Sequence, residues 1–331
     1  MLLPSASASA SEGRGPHLNS MQAPFQTHPQ TRTRAATRNV GRTLTIVLFL
    51  LPALALFTVF VVYPVFQAAY YSVWKWNGLG PLRNFVGIEN YISILNDKVF
   101  VTALKNNLFI LALSLLLQLP FSLGLALMVG RKLRGRAFFR LIFFLPYVLS
   151  EVITGLIWSF IYNPDFGLLN TFIKFFNPAF EGVVWLGYDT VMPAIFAVIT
   201  WKYFGFHLML YVAGLQEIPP EIEEAALIDG ATGGQAIRYV TLPMLGSTIR
   251  LSVYLSVLGA LQFFDLIWVM TLGGPVNASE TMATYMVKFG FQKFQLSYGS
   301  AVAVILFMLC LGFSLVYQRL VMRRDVAGAV R

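Results

Sequence analysis

The stretch "PPEIEEAALIDGATGGQAIRYVTLP", residues 219–243, decides how the whole chain is read. Glu217 just before it and Glu221, Glu223, Glu224 and Asp229 within it give five of the chain's 15 acidic residues. Pro219 and Pro220 suit the first turn of a helix, where no backbone donor is needed. The glutamates then fall near the positive end of the helix dipole, and Gly230 supplies a C-terminal stop after Asp229. The spacing predicts a helix of about ten residues on which Ile222, Ala225, Ala226 and Asp229 share one face. Small side chains there permit close approach by another backbone. A second short helical segment, Gly234 to Tyr239, leads to Leu242-Pro243, which ends it. Pattern alone leaves two roles open: a solvated linker helix, or a docking helix whose narrow face enters a groove on a cytosolic partner.

The surroundings of this acidic loop are apolar. The 331 residues are 57% hydrophobic and 12% charged, whereas a soluble domain is about half apolar and about a quarter charged. Composition therefore favours an all-α membrane protein. The net charge of +9 raises the question of nucleic acid. The basic residues, however, sit in short segments flanking apolar runs, which is topology bias, so no nucleic-acid partner is expected. Cys310 is the single cysteine. It excludes a disulfide framework or a cysteine metal site within one chain and reads as a small buried or lipid-facing side chain. Residues 1–42 are rich in Ser, Thr, Ala, Gln and Arg and read as a disordered basic tail. The "SASASA" at 5–10 mimics a signal-cleavage site without a preceding apolar core.

A spanning helix needs about 20 mostly apolar residues. Six such runs fall near 44–68, 106–130, 141–162, 191–215, 251–272 and 298–320. With the N-terminus inside, the inner segments hold 16 of the 24 Lys and Arg, the outer segments 7, and Lys202 lies within a span. That bias places both termini and the loop 216–249 in the cytoplasm, with membrane lipid around residues 43–322 and a short cytoplasmic tail at 323–331. "RKLRGR" at 131–136 is the strongest anchor. Pro52, Pro64, Pro120 and Pro146 lie within spans and are expected to bend them.

Glu224-Ala225-Ala226, Gly230 after three intervening residues, and Val240-Thr241-Leu242-Pro243 after nine more resemble the EAA signature of binding-protein-dependent type I ABC importers. The signature belongs to their membrane (permease) subunits. "GLQEIPPEIEEAALIDGA" at 214–231 is similar to the carbohydrate-uptake branch of that family, as are "FVGIENY" at 85–91, "FFLP" at 143–146, "NPDFGLLN" at 163–170, "FFDLIWVMTLGGP" at 263–275 and "YGSAVAV" at 298–304. The resemblance covers roughly 45 to 320, with valine at 240 where isoleucine is common. It implies the six-helix permease fold and a coupling role for Glu224, Ala225, Ala226, Asp229, Gly230, Ala231 and Pro243 against an ATPase subunit. It further implies a second homologous permease, two ATP-binding cassette subunits using ATP and magnesium, and an extracytoplasmic solute-binding protein. The chain has no G-x-x-x-x-G-K-[ST] loop, so it holds no nucleotide by that route and needs no cofactor of its own.

Glu151, Lys202 and Asp265 are costly inside a bilayer and face a bundle interior or water. Lys202 has either acid as a candidate partner. The group reads as a packing network or as the lining of a polar path. Trp158, Trp201, Tyr203, Gln262 and Trp268 join it as substrate-path candidates, because sugar rings stack their C–H faces on aromatic rings while their hydroxyls demand hydrogen bonds. No catalytic triad or metal cluster stands out. The expected function is ATP-driven uptake of a sugar or oligosaccharide. The alternatives are a polyol or glycerol-phosphate permease of the same class and, outside it, an ion-coupled secondary transporter. The latter often shows repeated halves, and no internal repeat is visible here.

Overall fold

The computed structural model describes residues 33–129 and 135–322. The tail expected at 1–42 lies outside the described residues as far as position 32, the "RKLRGR" anchor as far as Arg134, and the tail at 323–331 entirely. Every regular element among the described residues is helical, and an isolated bridge joins Trp74 to Phe85. The chain divides into two units between Val59 and Phe60. In the first, α1 (Thr33–Phe57) begins eleven residues before the expected span, so positions 33–42 are helix and not tail. Ala and Arg in "TRAATRNVGR" are good helix formers and carry the helix beyond its apolar run. From Leu44 onward α1 exposes apolar side chains on every side, Phe49 at 78% among them, a surface suited to acyl chains.

The second unit carries α2 (Tyr63–Tyr71), α3 (Glu89–Asn96), α4 (Lys98–Leu113), α5 (Leu119–Val129), α6 (Arg136–Val148), α7 (Glu151–Ile161) and α8 (Leu168–Phe176). It continues with α9 (Val191–Gln216), α10 (Pro220–Ile228), α11 (Gly233–Ala236), α12 (Leu242–Met244), α13 (Gly246–Leu261), α14 (Asp265–Thr271), α15 (Met282–Val287) and α16 (Leu296–Tyr317). Four stretches are long and apolar enough to span a membrane as single helices: Leu44–Tyr71, Lys98–Val129, Val191–Gln216 and Leu296–Met322. Counting each of two bent pairs as one span raises the number to six: Ala137–Val148 with Glu151–Ile161 at 94°, and Gly246–Leu261 with the preceding loop helix Gly233–Met244 at 65°.

The third and fifth expected spans therefore need correction. The third is two helices with a sharp turn at Leu149–Ser150, where the Ser150 hydroxyl takes over as N-cap and accepts from the Ile153 amide at 3.2 Å. The fifth ends at Leu261, and the chain restarts as the short α14 at Asp265. Both acids read as mid-span charges thus stand in the first turn of a helix. There the exposed amides and the dipole stabilise a carboxylate.

The prolines behave in a patterned way. Turns of π-helix at Thr58–Val62, Ser114–Gln118 and Ile237–Thr241 each end two residues before a proline, Pro64, Pro120 and Pro243. A proline clashes with the carbonyl four residues earlier. In each case that residue, Phe60, Leu116 or Tyr239, is the middle of the wide turn, which takes up the clash without ending the helix. Pro243, expected to terminate the second loop helix, is consequently passed over, and helical structure runs on to Met244.

Two asparagines on α4 fasten the broken region. The Asn107 amide donates to the carbonyls of Ala260 (2.7 Å) and Leu261 (3.2 Å), and its oxygen accepts from Met282 N at 2.9 Å. It closes the end of α13 and the start of α15 together. Asn106 donates to the carbonyls of Ala278 and Glu280, both at 2.8 Å. Replacing Asn107 by leucine is expected to cost about 1–3 kcal/mol for each buried group left unpaired, read as a lowered unfolding temperature of the purified protein in detergent. The crossing of α6 and α9 is tighter still. A Cβ at Gly205 would lie 1.9 Å from the Phe143 carbonyl oxygen, so only glycine lets these backbones touch.

Candidate coupling loop and central cavity

In α10, Pro220 occupies the first turn with Glu221 and Glu223, as the sequence predicts. Its C-terminus is a Schellman motif. Ala231 N donates to Ala226 O at 3.0 Å, Gly230 N donates to Leu227 O at 3.1 Å, and Gly230 has φ +89°. The Asp229 backbone ends the helix, and Thr232 and Gln235 form a reciprocal capping box for α11. The Thr241 hydroxyl donates to Glu223 Oε1 and folds α10 back on the following segment.

That bond fixes which face turns inward. Glu223 and Ala226 are the half-buried residues of α10, while Ile222, Glu224, Ala225 and Asp229 are exposed. The expected shared face of Ile222, Ala225, Ala226 and Asp229 is therefore split: Ala226 packs within the loop and the other three point away from it. Ala231 is half-buried, and Gly230 and Pro243 are exposed. Leu227 and Ile228 add an apolar tip, with Ile228 85% exposed.

The second site is an open-sided cavity of about 290 Å³ lined by residues of α4, α6, α7, α9 and α13 and by the break at 262–265. Glu151, Tyr203, Gln262 and Asp265 line it, as do Tyr147, Phe263 and Phe264. Sequence reasoning missed Ser114, Gln118, Ser256 and His207 in its wall. A signal existed: Ser114, Gln118 and Ser122 recur at i, i+4, i+8 through an uncharged run, and all three are buried. His207 is held by Ser252, Nδ1 to Oγ at 2.8 Å, which explains a buried imidazole without assigning it chemistry.

Lys202 stands behind the wall. Its side chain is 2% exposed, its ammonium lies 3.7 Å from Glu151 Oε1, and it donates to the Leu149 carbonyl at the helix break. The Tyr203 hydroxyl donates to the same carboxylate oxygen. Of the two acids open to it in the sequence, Lys202 pairs with Glu151. Asp265 sits at the start of α14 instead. Trp158, Trp201 and Trp268 are not among the lining residues. Trp158 and Trp201 meet edge to face at 5.5 Å, and Trp268 stacks on Phe264 at 5.3 Å.

Four to six membrane-length helical stretches, a helix-and-glycine loop after α9 and a polar cavity at two helix breaks are the architecture expected of a membrane transport protein. The profile of the binding-protein-dependent transport system inner membrane component family matches residues 118–326, and the chain belongs to that family. It is a permease subunit of a binding-protein-dependent ABC importer and a multi-pass protein of the cytoplasmic membrane, not itself an ATPase. The probable ABC transporter permease protein YurN of Bacillus subtilis is 36% identical over 82% of this chain and 94% of its own length. The diacetylchitobiose uptake system permease protein NgcF of Streptomyces coelicolor is 34% identical over 80% of this chain and 79% of its own. A crystal structure of a bacterial alginate ABC transporter, in complex with its alginate pentasaccharide-bound periplasmic protein, superposes with a TM-score of 0.76. At 23% identity over 87% of this chain and 97% of that one, it shares the fold.

Proposed function

We propose that this permease imports a neutral sugar or oligosaccharide, handed over by an extracytoplasmic binding protein and driven by partner ATPases. The observation that carries the reading is the central cavity. Its wall pairs aromatic rings, Tyr147, Tyr203, Phe263 and Phe264, with Gln118, Ser114, Ser256 and Gln262. Such a mixture suits a ligand with apolar faces and a rim of hydroxyls. The saccharide in the name of the diacetylchitobiose relative supports the same class. Glu151 and Asp265 line the wall, and the Lys202 charge is matched by Glu151. This balance disfavours a phosphate and places the glycerol-phosphate alternative second.

In this reading the loop 216–249 is cytoplasmic, as are both termini. Glu224, Ala225, Asp229 and Gly230 face an ATPase groove, with the Leu227–Ile228 tip as the apolar anchor. A second, related permease and two ATPases complete the assembly, and magnesium and ATP belong to the latter. The test is uptake of a labelled saccharide into liposomes carrying the assembled complex, with binding protein outside and ATP inside. Gln262→Ala is expected to reduce uptake about tenfold, the weight of one hydrogen bond of about 1.4 kcal/mol, with ATPase association unchanged. Uptake at the parent rate would remove this cavity from the path, and uptake driven by an ion gradient without ATP would overturn the class.

A further inference from the structure

A second cavity, of about 490 Å³, lies away from the first and shares no residue with it. It is bounded by the segment after α2 and by the segment entering α16, residues 75–90 and 294–298. The helix α13 separates the latter segment from the coupling loop, so the cavity opens on the opposite face of the membrane. Its walls are tied together before any ligand arrives. Ser297 N donates to Trp76 O at 3.1 Å, and Lys75 N to Asn84 O at 2.8 Å. The Trp76 indole donates to the carbonyls of Leu79 (3.1 Å) and Gly80 (3.0 Å), fixing the turn that carries the ring. Preorganisation of this kind lowers the entropic cost of binding.

The wall chemistry is one-sided. Trp76, packed on Tyr71, and Tyr298, packed on Phe289, border it with aromatic rings, Asn84 and Gln295 provide amides, and Lys75 and Arg83 provide two cations, while no carboxylate is among the described lining residues. Ser297, 2% exposed, also lines it, and its hydroxyl has no hydrogen-bond partner among the described residues. The volume falls in the range of about 300–1,000 Å³ usual for small-molecule sites. Aromatic rings and amides match a sugar ring, and two cations in a wall with no carboxylate among its described lining residues match an anionic substituent on it. We propose that this cavity is a saccharide site outside the membrane that takes a soluble sugar bearing a carboxylate or similar anionic group. It is distinct in chemistry from the central cavity, whose acidic wall repels such a group, and it stands whatever solute is transported.

The test uses the full chain in nanodiscs of zwitterionic lipid, with labelled D-glucuronate followed by equilibrium dialysis, and D-glucose and inorganic phosphate as competitors. Saturable glucuronate binding is expected, with glucose and phosphate each competing at least about tenfold more weakly. Arg83→Gln, at an exposed position, weakens it about tenfold, the fold-change of one lost charge-assisted hydrogen bond. Trp76→Phe retains binding because it keeps a ring, and Trp76→Leu loses it. No saturable binding, or binding unchanged in Arg83→Gln, overturns the proposal. Competition by phosphate as strong as by glucuronate reduces the face to an anion patch, and competition by glucose as strong removes the role of the charge. Either result also overturns it.

Discussion

Replacing Lys202 by methionine lowers the stability of this permease by about 3–5 kcal/mol, the cost of removing one partner from a buried ion pair. The lysine side chain is 2% exposed, so its charge has no water to fall back on, while its carboxylate partner, Glu151, is 25% exposed and lines the cavity. Two groups lose their donor at once. Glu151 keeps only the Tyr203 hydroxyl on the shared oxygen, and the Leu149 carbonyl at the 94° break is left bare. The expected readout is an unfolding temperature in detergent well below the parent's. The double variant Lys202→Met, Glu151→Gln recovers part of the loss, because the uncompensated carboxylate is gone while the bare carbonyl remains. If the two losses simply add, the pair is not coupled and the network does not hold the break.

The same residue shows where sequence reading reaches and where it stops. Apolar runs point to four single-helix spans and to the bent pair at the third, because these follow from local composition. The ends of the coupling helix are legible for the same reason: Pro220, Gly230 and Asp229 act within one turn of themselves. The breaks at Leu149–Ser150 and Gln262–Phe264 are not legible, since no local signal is decisive there. They exist because distant groups satisfy the freed backbone, Lys202 across 53 residues and Asn107 across 153. Tertiary partners therefore decide that two apolar runs, each carrying a single acid, become bent. Misreading those runs as straight is also what made Glu151 and Asp265 look like mid-membrane charges. The face of α10 was split for a similar reason, because the Glu223–Thr241 bond that orients it joins residues in two different elements.

The two breaks also give the cavity its polarity. A straight helix buries its own amides and carbonyls, and a transport path through six straight apolar helices would have little to offer a hydroxyl-rich solute. By stopping at Val148 and Leu261 and restarting at Glu151 and Asp265, α6–α7 and α13–α14 turn helix starts and their acids toward one space. The sharply turned chain is tolerated at this depth because it is packed within protein and lines a cavity, not lipid. In this sense Lys202 and Asn107 serve the cavity without lining it.

Gly230→Trp abolishes ATP-driven uptake while leaving the isolated permease folded. Within this chain the position is permissive in space, since a Cβ there meets nothing within 4 Å. The only internal penalty is the left-handed backbone at φ +89°, about 1–2 kcal/mol for a residue with a side chain. The space beside it is open because, on the proposed reading, an ATPase groove closes over it in the complex. Gly230→Ala separates the two effects. It carries the same backbone penalty with almost no added volume, so it lowers the unfolding temperature as much as tryptophan does and yet retains most uptake. Co-purification of the ATPase subunit should follow the same order, retained for alanine and lost for tryptophan. Equal uptake by the two variants would mean that only the turn matters, and full uptake by the tryptophan variant would show that nothing approaches this glycine. The cause is steric, and side-chain volume at a single position therefore separates a docking helix from a solvated linker.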